Sequence, residues 1–335
     1  YFMRRSRFAS ILSVPFWKAY WSTMRPYLIF VSGAAALVGM AFIENPDLSK
    51  VIIAFIPLFF SYGLGQALTD CFQMDTDAYS APYRPLIKGL ISQGQVINIS
   101  LCGLALSVLI LTYINPTILI FGILAVVGLL SYTSFKRTWW GGPFWNSWIV
   151  ALLPFMGRFV ERDVQLQKIS GLNDSQSLAF LLAVLAVFFS YANFVMMGYF
   201  KDISADRKTG YRTFPVVFGW KAAAVYSDGL AFLAAFLTGW ALYVIDHFNF
   251  IGAAVFVLGL GVSLYAQVKI HKIRDESKAF GPITNVVRAF ILYSTAVVVT
   301  LKNTFIHHIR QKIEDKPSEP THLITVPWSG YRFQK

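Results

Sequence analysis

Apolar runs of membrane length recur along the whole chain and are separated by short polar connections. A helix crosses the hydrocarbon core of a bilayer with about 20 predominantly apolar residues. On that rule the pattern predicts nine transmembrane helices, at 27–43, 51–68, 96–113, 117–134, 144–160, 178–200, 222–245, 250–267 and 285–305. Lipid permits only helices or closed barrels, and these runs are too long for barrel strands. The pattern therefore predicts an all-α, polytopic membrane helical bundle.

The two ends of the chain differ from this predicted transmembrane domain, which extends over residues 27–305. Before it, Trp17, Lys18 and Trp21 give residues 1–26 the aromatic and basic character of a cytoplasmic segment at the membrane interface. After it, residues 306–335 carry prolines and charges, and we expect a tail that is mobile or lies on the surface.

Composition and charge support a membrane protein. The 335 residues are 56% hydrophobic and have a mean hydropathy of +0.55, whereas soluble domains are roughly 45–50% apolar. The net charge is +12, but the cations lie at the ends of the apolar runs, which favours membrane topology and anionic lipid or substrate over nucleic acid. Eighteen Lys and Arg fall on one side of the predicted membrane and four in the short connections of the other. The N-terminus and the connections after even-numbered spans are therefore expected on the cytoplasmic side, or its equivalent.

Two acidic stretches follow even-numbered predicted spans. After the second span, Asp70, Gln73 and Asp77 are three and four residues apart, so they share one face if the helix continues. After the sixth span, Asp202 and Asp206 are four residues apart. Because both spans end on the same side of the bundle, we expect the two acidic helix ends to meet.

Carboxylates that face one another repel unless a cation lies between them. Mg²⁺ is typically held by a few carboxylates together with the phosphate oxygens of a substrate. Nearby cations are candidates to bind the same phosphates through charge-assisted hydrogen bonds: Arg84, Lys136, Arg137, Lys201, Arg207 and Arg212. The implied ligand is a diphosphate with an apolar tail. Two structural alternatives remain open at this point, a solvated loop charge and a network of salt bridges between helices.

These residues resemble the UbiA superfamily of intramembrane prenyltransferases. The superfamily's second motif, Asp-x-x-x-Asp with a following Gly-x-x-Thr-Leu-Pro, is similar to Asp202 to Asp206 with Gly210 to Pro215. Its first motif, Asn-Asp-x-x-Asp-x-x-x-Asp with a following Pro-x-Arg-Pro, matches a stretch that ends at Asp77 and continues to Pro85. The resemblance covers nearly the whole chain, from about residue 17 to residue 305.

The resemblance implies an activity, a cofactor and partners. It implies transfer of a prenyl group from an isoprenoid diphosphate to a lipophilic, often aromatic, acceptor within the lipids of the membrane. It further implies that Mg²⁺ is bound by the catalytic carboxylates Asp70, Asp77, Asp202 and Asp206. Loss of diphosphate leaves an allylic cation, which must be shielded from water and can be stabilised by aromatic faces. Candidates for the pocket near the motifs are Phe72, Tyr132, Tyr191, Asn193 and Tyr199.

The first motif departs from the familial pattern at three positions. Thr69 stands where the superfamily has Asn, Gln73 replaces the middle Asp, and Asp75 is an additional carboxylate. Gln73 can still offer a neutral oxygen to the metal or its water, and Asp75 should point elsewhere if the segment is helical. These changes leave a terpene cyclase with the same diphosphate site as one alternative. A lipid transporter or scaffold without turnover is a second alternative.

Overall fold

The computed structural model describes residues 8–44, 46–161, 174–246, 249–314, 321–326 and 330–333. Within these residues the chain forms twelve α-helices: α1 Val14–Thr23, α2 Ile29–Ala41, α3 Leu48–Asp70, α4 Met74–Ser80, α5 Gln93–Ile114, α6 Ile118–Lys136, α7 Gly141–Arg158, α8 Ser175–Gly198, α9 Ile203–Lys208, α10 Phe214–Ile245, α11 Phe250–Lys272 and α12 Phe280–Ile313. Three 3₁₀ turns occur, at Pro26–Leu28, Tyr199–Lys201 and Glu276–Lys278. An antiparallel pair of short strands follows, β1 Leu323–Val326 and β2 Gly330–Phe333.

Side-chain caps mark the start of four long helices. The Asp47, Asp174 and Asn249 side chains accept hydrogen bonds from the first-turn backbone of α3, α8 and α11. Ser92 and Gln95 form a reciprocal capping box at α5. These caps satisfy backbone N–H groups that a helix leaves without partners.

The prediction of nine spans is wrong when the helices are judged by their length and apolar composition. In the described residues, seven helices are long and apolar enough to cross a membrane, or eight if the bent pair Val14–Thr23 and Pro26–Ala41 is one span. The predicted first span fails alone because α2 has only 13 residues, about 20 Å of helix. The predicted fifth span corresponds to α7, which carries Asn146, Ser147 and Arg158 and is too polar to be counted.

α8 is the central helix of the bundle. In its most apolar stretch 67% of the residues are buried, against 22% for the peripheral α5. α2 and α7 approach each other closely because Gly39 and Gly157 leave no room for a side chain: a Cβ at either position would meet the backbone of the opposite helix. Buried residues of α2, α7 and α8 belong to one large hydrophobic core.

A buried polar network joins α8 to α10 and α11. The Ser227 hydroxyl lies 2.6 Å from Asn193 Oδ1, and Gln267 Nε2 donates to the same oxygen at 3.3 Å. All three side chains are buried. Hydrogen bonds between membrane helices are retained because an unpaired polar group in an apolar interior is costly.

The connections after α3, α6, α8 and α11 gather at one end of the bundle. The Arg212 amide donates to the Arg137 carbonyl at 3.0 Å, and the Ser204 amide donates to Glu276 at 3.1 Å. The N-terminal segment joins the same end, because the Ala9 amide donates to the Leu90 carbonyl. The two acidic stretches therefore occupy one end of the molecule.

Candidate active site

The first acidic stretch is not one continuous helix. α3 ends at Asp70, the backbone turns at Gln73 (φ −122°, ψ 19°), and α4 begins at Met74. The continuous helical face that would carry Asp70, Gln73 and Asp77 therefore does not form. Arg84 nevertheless brings the two carboxylates together, since its Nη1 contacts Asp77 and lies 3.6 Å from Asp70 Oδ2.

Asp70 is held by the N-terminal segment. Arg25 Nη2 donates to both carboxylate oxygens of Asp70, at 2.8 and 2.9 Å, and Gln66 Nε2 donates to Oδ1 at 2.6 Å. Arg25 adopts the left-handed region (φ 53°, ψ 67°), which non-glycine residues rarely enter and which often marks functional sites. Asp70 is 2% exposed, so its carboxylate interacts with these side chains rather than with solvent.

Gln73 and Asp75 have separate environments. Gln73 is buried and its Oε1 accepts a hydrogen bond from Lys136 Nζ at 2.6 Å. Asp75 is turned away, toward Arg137 Nη2 at 3.2 Å and the Tyr211 hydroxyl at 3.1 Å. The additional carboxylate of the first motif thus does not substitute for the carboxylate that Gln73 replaces.

The two carboxylates of the second stretch also differ. Lys201 Nζ lies 2.7 and 2.6 Å from the two carboxylate oxygens of Asp202. Asp206 is fully buried and accepts hydrogen bonds from the Thr76 hydroxyl at 3.2 Å and the Thr213 hydroxyl at 3.1 Å. Because Thr76 lies in α4, Asp206 joins the two acidic stretches directly.

Burial and neighbouring charges set the ionisation of these carboxylates. Burial, reinforced by the nearby Asp70, raises the pKa of Asp77 to about 6 against the opposing effect of Arg84. Burial also raises the pKa of Asp206, with Lys136 opposing it. Burial is again the largest single effect on Asp202 and raises its pKa. Lys201 and Lys136 together outweigh burial, so the pKa of Asp202 lies below its ordinary value. Cations therefore compensate the charge of Asp202 more fully than that of Asp77 or Asp206.

A cavity of about 320 Å³ opens beside these groups. It is lined by nine of the sixteen residues that the sequence proposes as catalytic, metal-binding, diphosphate-binding or pocket residues: Gln73, Asp77, Arg84, Tyr132, Lys136, Tyr191, Tyr199, Lys201 and Asp202. Seven others do not line it: Asp70, Phe72, Arg137, Asn193, Asp206, Arg207 and Arg212. Asp70 and Asp206 lie behind the lining residues, and Asn193 belongs to the polar network between helices. One carboxylate from each motif thus faces the cavity.

Sequence reasoning missed several lining residues. Arg25, Tyr62, Gln66 and Asn146 line the cavity, as does one face of α12. Arg25 could have been suspected from its place beside Pro26, directly before the first predicted span. The α12 residues carry no motif, and only the packing of the bundle places them at the site.

A second, apolar cavity of about 90 Å³ lies deeper, among α3, α5, α6, α7 and α8. It shares Tyr62, Gln66, Thr69, Asn146 and Tyr191 with the polar cavity. Its remaining lining is mainly apolar and includes Leu58, Val108 and Leu129 of three different helices. The charged cavity therefore adjoins a mainly apolar one, and five residues line both.

The lining residues fit Mg²⁺ in one particular way. Within the described ranges no three His, Cys, Asp or Glu side chains are grouped so that they could hold a metal ion by themselves. Asp77 and Asp202 line the cavity, with the amide oxygen of Gln73 nearby. Mg²⁺ is commonly bound by one or two carboxylates and completed by substrate phosphate. The donor set therefore suits a Mg²⁺ ion that binds together with a phosphate ligand.

The chain is similar to known proteins over most of its length. The sequence model of the UbiA prenyltransferase family matches residues 28–291. Digeranylgeranylglyceryl phosphate synthase of Methanothermobacter thermautotrophicus is 25% identical over 266 residues, which cover 76% of this chain and 89% of that protein.

Solved structures share the fold. The apo structure of a UbiA homolog from Aeropyrum pernix K1 superposes with a TM-score of 0.67 at 19% identity, over 82% of this chain and 97% of that one. A UbiA homolog from Archaeoglobus fulgidus bound to DMAPP and Mg²⁺ superposes with a TM-score of 0.59 at 19% identity, over 84% of this chain and 99% of that one.

Proposed function

The chain belongs to the UbiA prenyltransferase family, and we propose that it transfers an isoprenyl group from an isoprenoid diphosphate to a lipophilic acceptor in a Mg²⁺-dependent reaction. One observation carries this proposal. A single cavity combines a carboxylate from each motif, Asp77 and Asp202, with the cations Arg84, Lys136 and Lys201, and it adjoins an apolar cavity inside the bundle.

The cations of the cavity bind the diphosphate in this scheme. Arg84 offers a planar guanidinium suited to two phosphate oxygens at once, and Lys136 and Lys201 act as point charges. Asp77 and Asp202 would hold Mg²⁺, with Gln73 contributing a neutral oxygen. The chemistry that a bound Mg²⁺ supplies here is neutralisation of the charge that develops on the leaving diphosphate. Asp70 and Asp206 position these groups from behind rather than contacting the ion.

The aromatic lining protects the reacting carbon. Tyr132, Tyr191 and Tyr199 line the charged cavity, and Tyr191 also lines the apolar cavity. As the bond from the isoprenyl C1 to the diphosphate oxygen breaks, the electron pair leaves with the diphosphate. The aromatic side chains then exclude water from the allylic cation and offer their faces to it. A nucleophilic atom of the acceptor forms the new bond to C1 and gives up its proton.

Similar proteins support these choices. A structural neighbour binds DMAPP with Mg²⁺ and another binds GPP with Mg²⁺, which supports an isoprenoid diphosphate as the donor. The relatives named digeranylgeranylglyceryl phosphate synthase support a lipid acceptor rather than the aromatic one that the motifs alone suggest. Family membership also favours an enzyme over the non-catalytic transporter.

The excess of Lys and Arg in the connections at the site end supports a cytoplasmic position for this end and for the N-terminus. This orientation is tested with a reporter protein that is active only in the cytoplasm and is fused to the N-terminus.

The proposal is tested with the full chain in detergent or nanodiscs. Geranyl, farnesyl and geranylgeranyl diphosphate are supplied with and without Mg²⁺, first without acceptor and then with a total lipid extract. We expect Mg²⁺-dependent diphosphate release that requires the extract and yields a prenylated lipid. A cyclic hydrocarbon or alcohol formed without acceptor would instead identify a terpene cyclase. No release under any condition would contradict both.

A further inference from the structure

Lys136 is a buried cation that forms no ion pair with a carboxylate of the described residues. It is the last residue of α6, is 6% exposed and lines the polar cavity. Its Nζ donates a hydrogen bond to Gln73 Oε1 at 2.6 Å. Three other cations that line the same cavity, Arg25, Arg84 and Lys201, each pair with an aspartate. A buried charge is costly when it is left without a partner, so the structure provides Lys136 with an amide where the other three have a carboxylate.

Gln73 holds this ammonium group in place. A lysine only donates hydrogen bonds, so the atom of Gln73 that faces Nζ has to be the amide oxygen. The amide nitrogen faces Thr133, whose hydroxyl lies 3.5 Å from it. Thr133 precedes Lys136 by three residues, so the two residues lie on the same face of α6. Gln73 therefore fixes the position of the ammonium group without adding a negative charge.

The remaining surroundings of Lys136 stabilise its charge without neutralising it by contact. The rings of Tyr199 and Tyr211 have their centres 5.9 and 5.4 Å from Nζ, within the range of cation–π attraction. Two of the three ammonium donors remain after the hydrogen bond to Gln73. Three aspartates act on the ammonium group from farther away: Asp77, Asp202 and Asp206. Lys136 is thus prepared to donate to an anion in the cavity.

The neutral side chain at residue 73 also sets the balance of charge in the cavity. Five Lys or Arg side chains line the cavity, but only two carboxylates do. The cations stay in excess when the two aspartates behind the lining, Asp70 and Asp206, are included. A carboxylate at residue 73 would remove this excess and would pair directly with Lys136. An excess of cations attracts a polyanion such as diphosphate and repels a free Mg²⁺ ion.

We infer that Gln73 is a positioning residue, which holds the Lys136 ammonium group uncompensated in the cavity so that the protein binds the diphosphate of its substrate before Mg²⁺ and without it. The inference rests on the proposed transferase function and adds the order in which the donor and the metal bind. The bound diphosphate then completes the Mg²⁺ site with Asp77 and Asp202, and the metal remains necessary for cleavage.

Binding is measured first, because it does not depend on turnover. Inorganic diphosphate is titrated into the full chain in detergent, with EDTA in excess, and the heat of binding is recorded. We expect the wild type to bind diphosphate under these conditions. Lys136→Met and Gln73→Glu should bind it about tenfold more weakly, the loss expected for one charge-assisted hydrogen bond.

Mg²⁺ is titrated next, without diphosphate and without EDTA. Gln73→Glu should bind Mg²⁺ more tightly than the wild type does, because it adds a carboxylate to the site. A damaged fold would weaken the binding of both ligands, whereas the inference requires opposite changes in the two affinities. Gln95→Glu is the matched control for the change of charge. Gln95 lies in the capping box of α5, where glutamate is also suited, and outside the cavity lining, so its substitution should leave both affinities as in the wild type.

The variant Gln73→Leu tests whether Gln73 acts through Lys136. It removes the amide oxygen and leaves the charge of the cavity unchanged. We expect it to weaken metal-free binding of diphosphate about fivefold and to have no further effect in the Lys136→Met background. An equal effect of Gln73→Leu in both backgrounds would overturn the positioning role. The inference would also be overturned if the wild type did not bind diphosphate in EDTA, or if Gln73→Glu bound both ligands as the wild type does.

Turnover separates this inference from the proposed function. Diphosphate release from geranylgeranyl diphosphate is measured with a lipid extract as the source of acceptor. Gln73→Glu should need less Mg²⁺ for half-maximal release and should have a higher KM for geranylgeranyl diphosphate. Mg²⁺-dependent release by a wild type that binds no diphosphate in EDTA would contradict only the inference. Absence of release at any Mg²⁺ concentration would contradict the proposed function.

Discussion

Arg25 and Asp70 are 45 positions apart in the chain, yet one guanidinium nitrogen of Arg25 hydrogen-bonds both oxygens of the Asp70 carboxylate, at 2.8 and 2.9 Å. This pair ties the segment before α2 to the end of α3. The leading aspartate of the first motif therefore organises the N-terminal side of the cavity, where Arg25 itself is part of the lining.

Arg25→Gln is expected to destabilise the protein and to lower its activity. The substitution leaves the buried Asp70 carboxylate without its main counter-charge, a loss of about 3 kcal/mol in comparable buried pairs. Thermal melting of the purified protein measures the effect. The double variant Arg25→Gln with Asp70→Asn should melt at a higher temperature than Arg25→Gln alone, because no unpaired charge remains. A double variant that melts lower than Arg25→Gln would show that the pair does not act in this way.

Arg84→Lys is expected to raise the KM of the isoprenoid diphosphate about tenfold. Arg84 contacts Asp77 and lies near Asp70, so its planar guanidinium holds both aspartates while it faces the cavity. A lysine keeps the charge, but its single ammonium group cannot replace the planar set of N–H donors with which a guanidinium binds several oxygens at once. Lys88→Gln, an exposed cation in the same connection, should leave the KM unchanged. An unaltered KM in Arg84→Lys would remove Arg84 from the diphosphate site.

Gly142→Ala is expected to reduce turnover on the order of 10²-fold, as small displacements of reacting groups do. A methyl group at this position would overlap the hydroxyl of Tyr199 and push its ring toward the cavity. Tyr199 stands beside Lys136, whose Nζ lies 5.9 Å from the centre of the ring. Steady-state kinetics measure the loss. Adding Tyr199→Phe, which removes the overlapping oxygen, should restore part of the activity.

Gly94→Ala is the control for this substitution, because a Cβ at residue 94 meets no atom within 4 Å. Its kcat should equal that of the wild type. Equal kcat values for Gly142→Ala and the wild type would show that the position of Tyr199 does not matter for turnover.

The sequence predicted those parts of the site that depend on local spacing. Asp202 and Asp206 lie at the same end of the bundle as Asp70 and Asp77, as the sequence predicted, and the hydrogen bond from the Thr76 hydroxyl to Asp206 joins the two stretches. Asp75 points away from the cavity, toward Arg137 and Tyr211. The family and its enzymatic class also followed from the motifs.

Other features depend on contacts that spacing along one chain cannot reveal. The helix breaks after Asp70, and the carboxylate there contacts Arg25, which is 45 positions away in the chain, and lies 3.6 Å from Arg84. Asn193 is adjacent to the motif helix end but turns toward Ser227 and Gln267 on neighbouring helices. The count of nine spans was too high because the first apolar run forms a helix of only 13 residues, α2, and because α7 is too polar to be counted.

The most direct test of the account compares three aspartates of the two motifs. Diphosphate release from geranylgeranyl diphosphate, with a lipid extract as the source of acceptor, is measured as a function of Mg²⁺ for the wild type, Asp77→Asn, Asp202→Asn and Asp75→Asn. We expect Asp77→Asn and Asp202→Asn to lose nearly all Mg²⁺-dependent release while they remain folded, and Asp75→Asn to retain it. Full release by Asp77→Asn or Asp202→Asn, or an equal loss in Asp75→Asn, would contradict the assignment of the cavity as the active site.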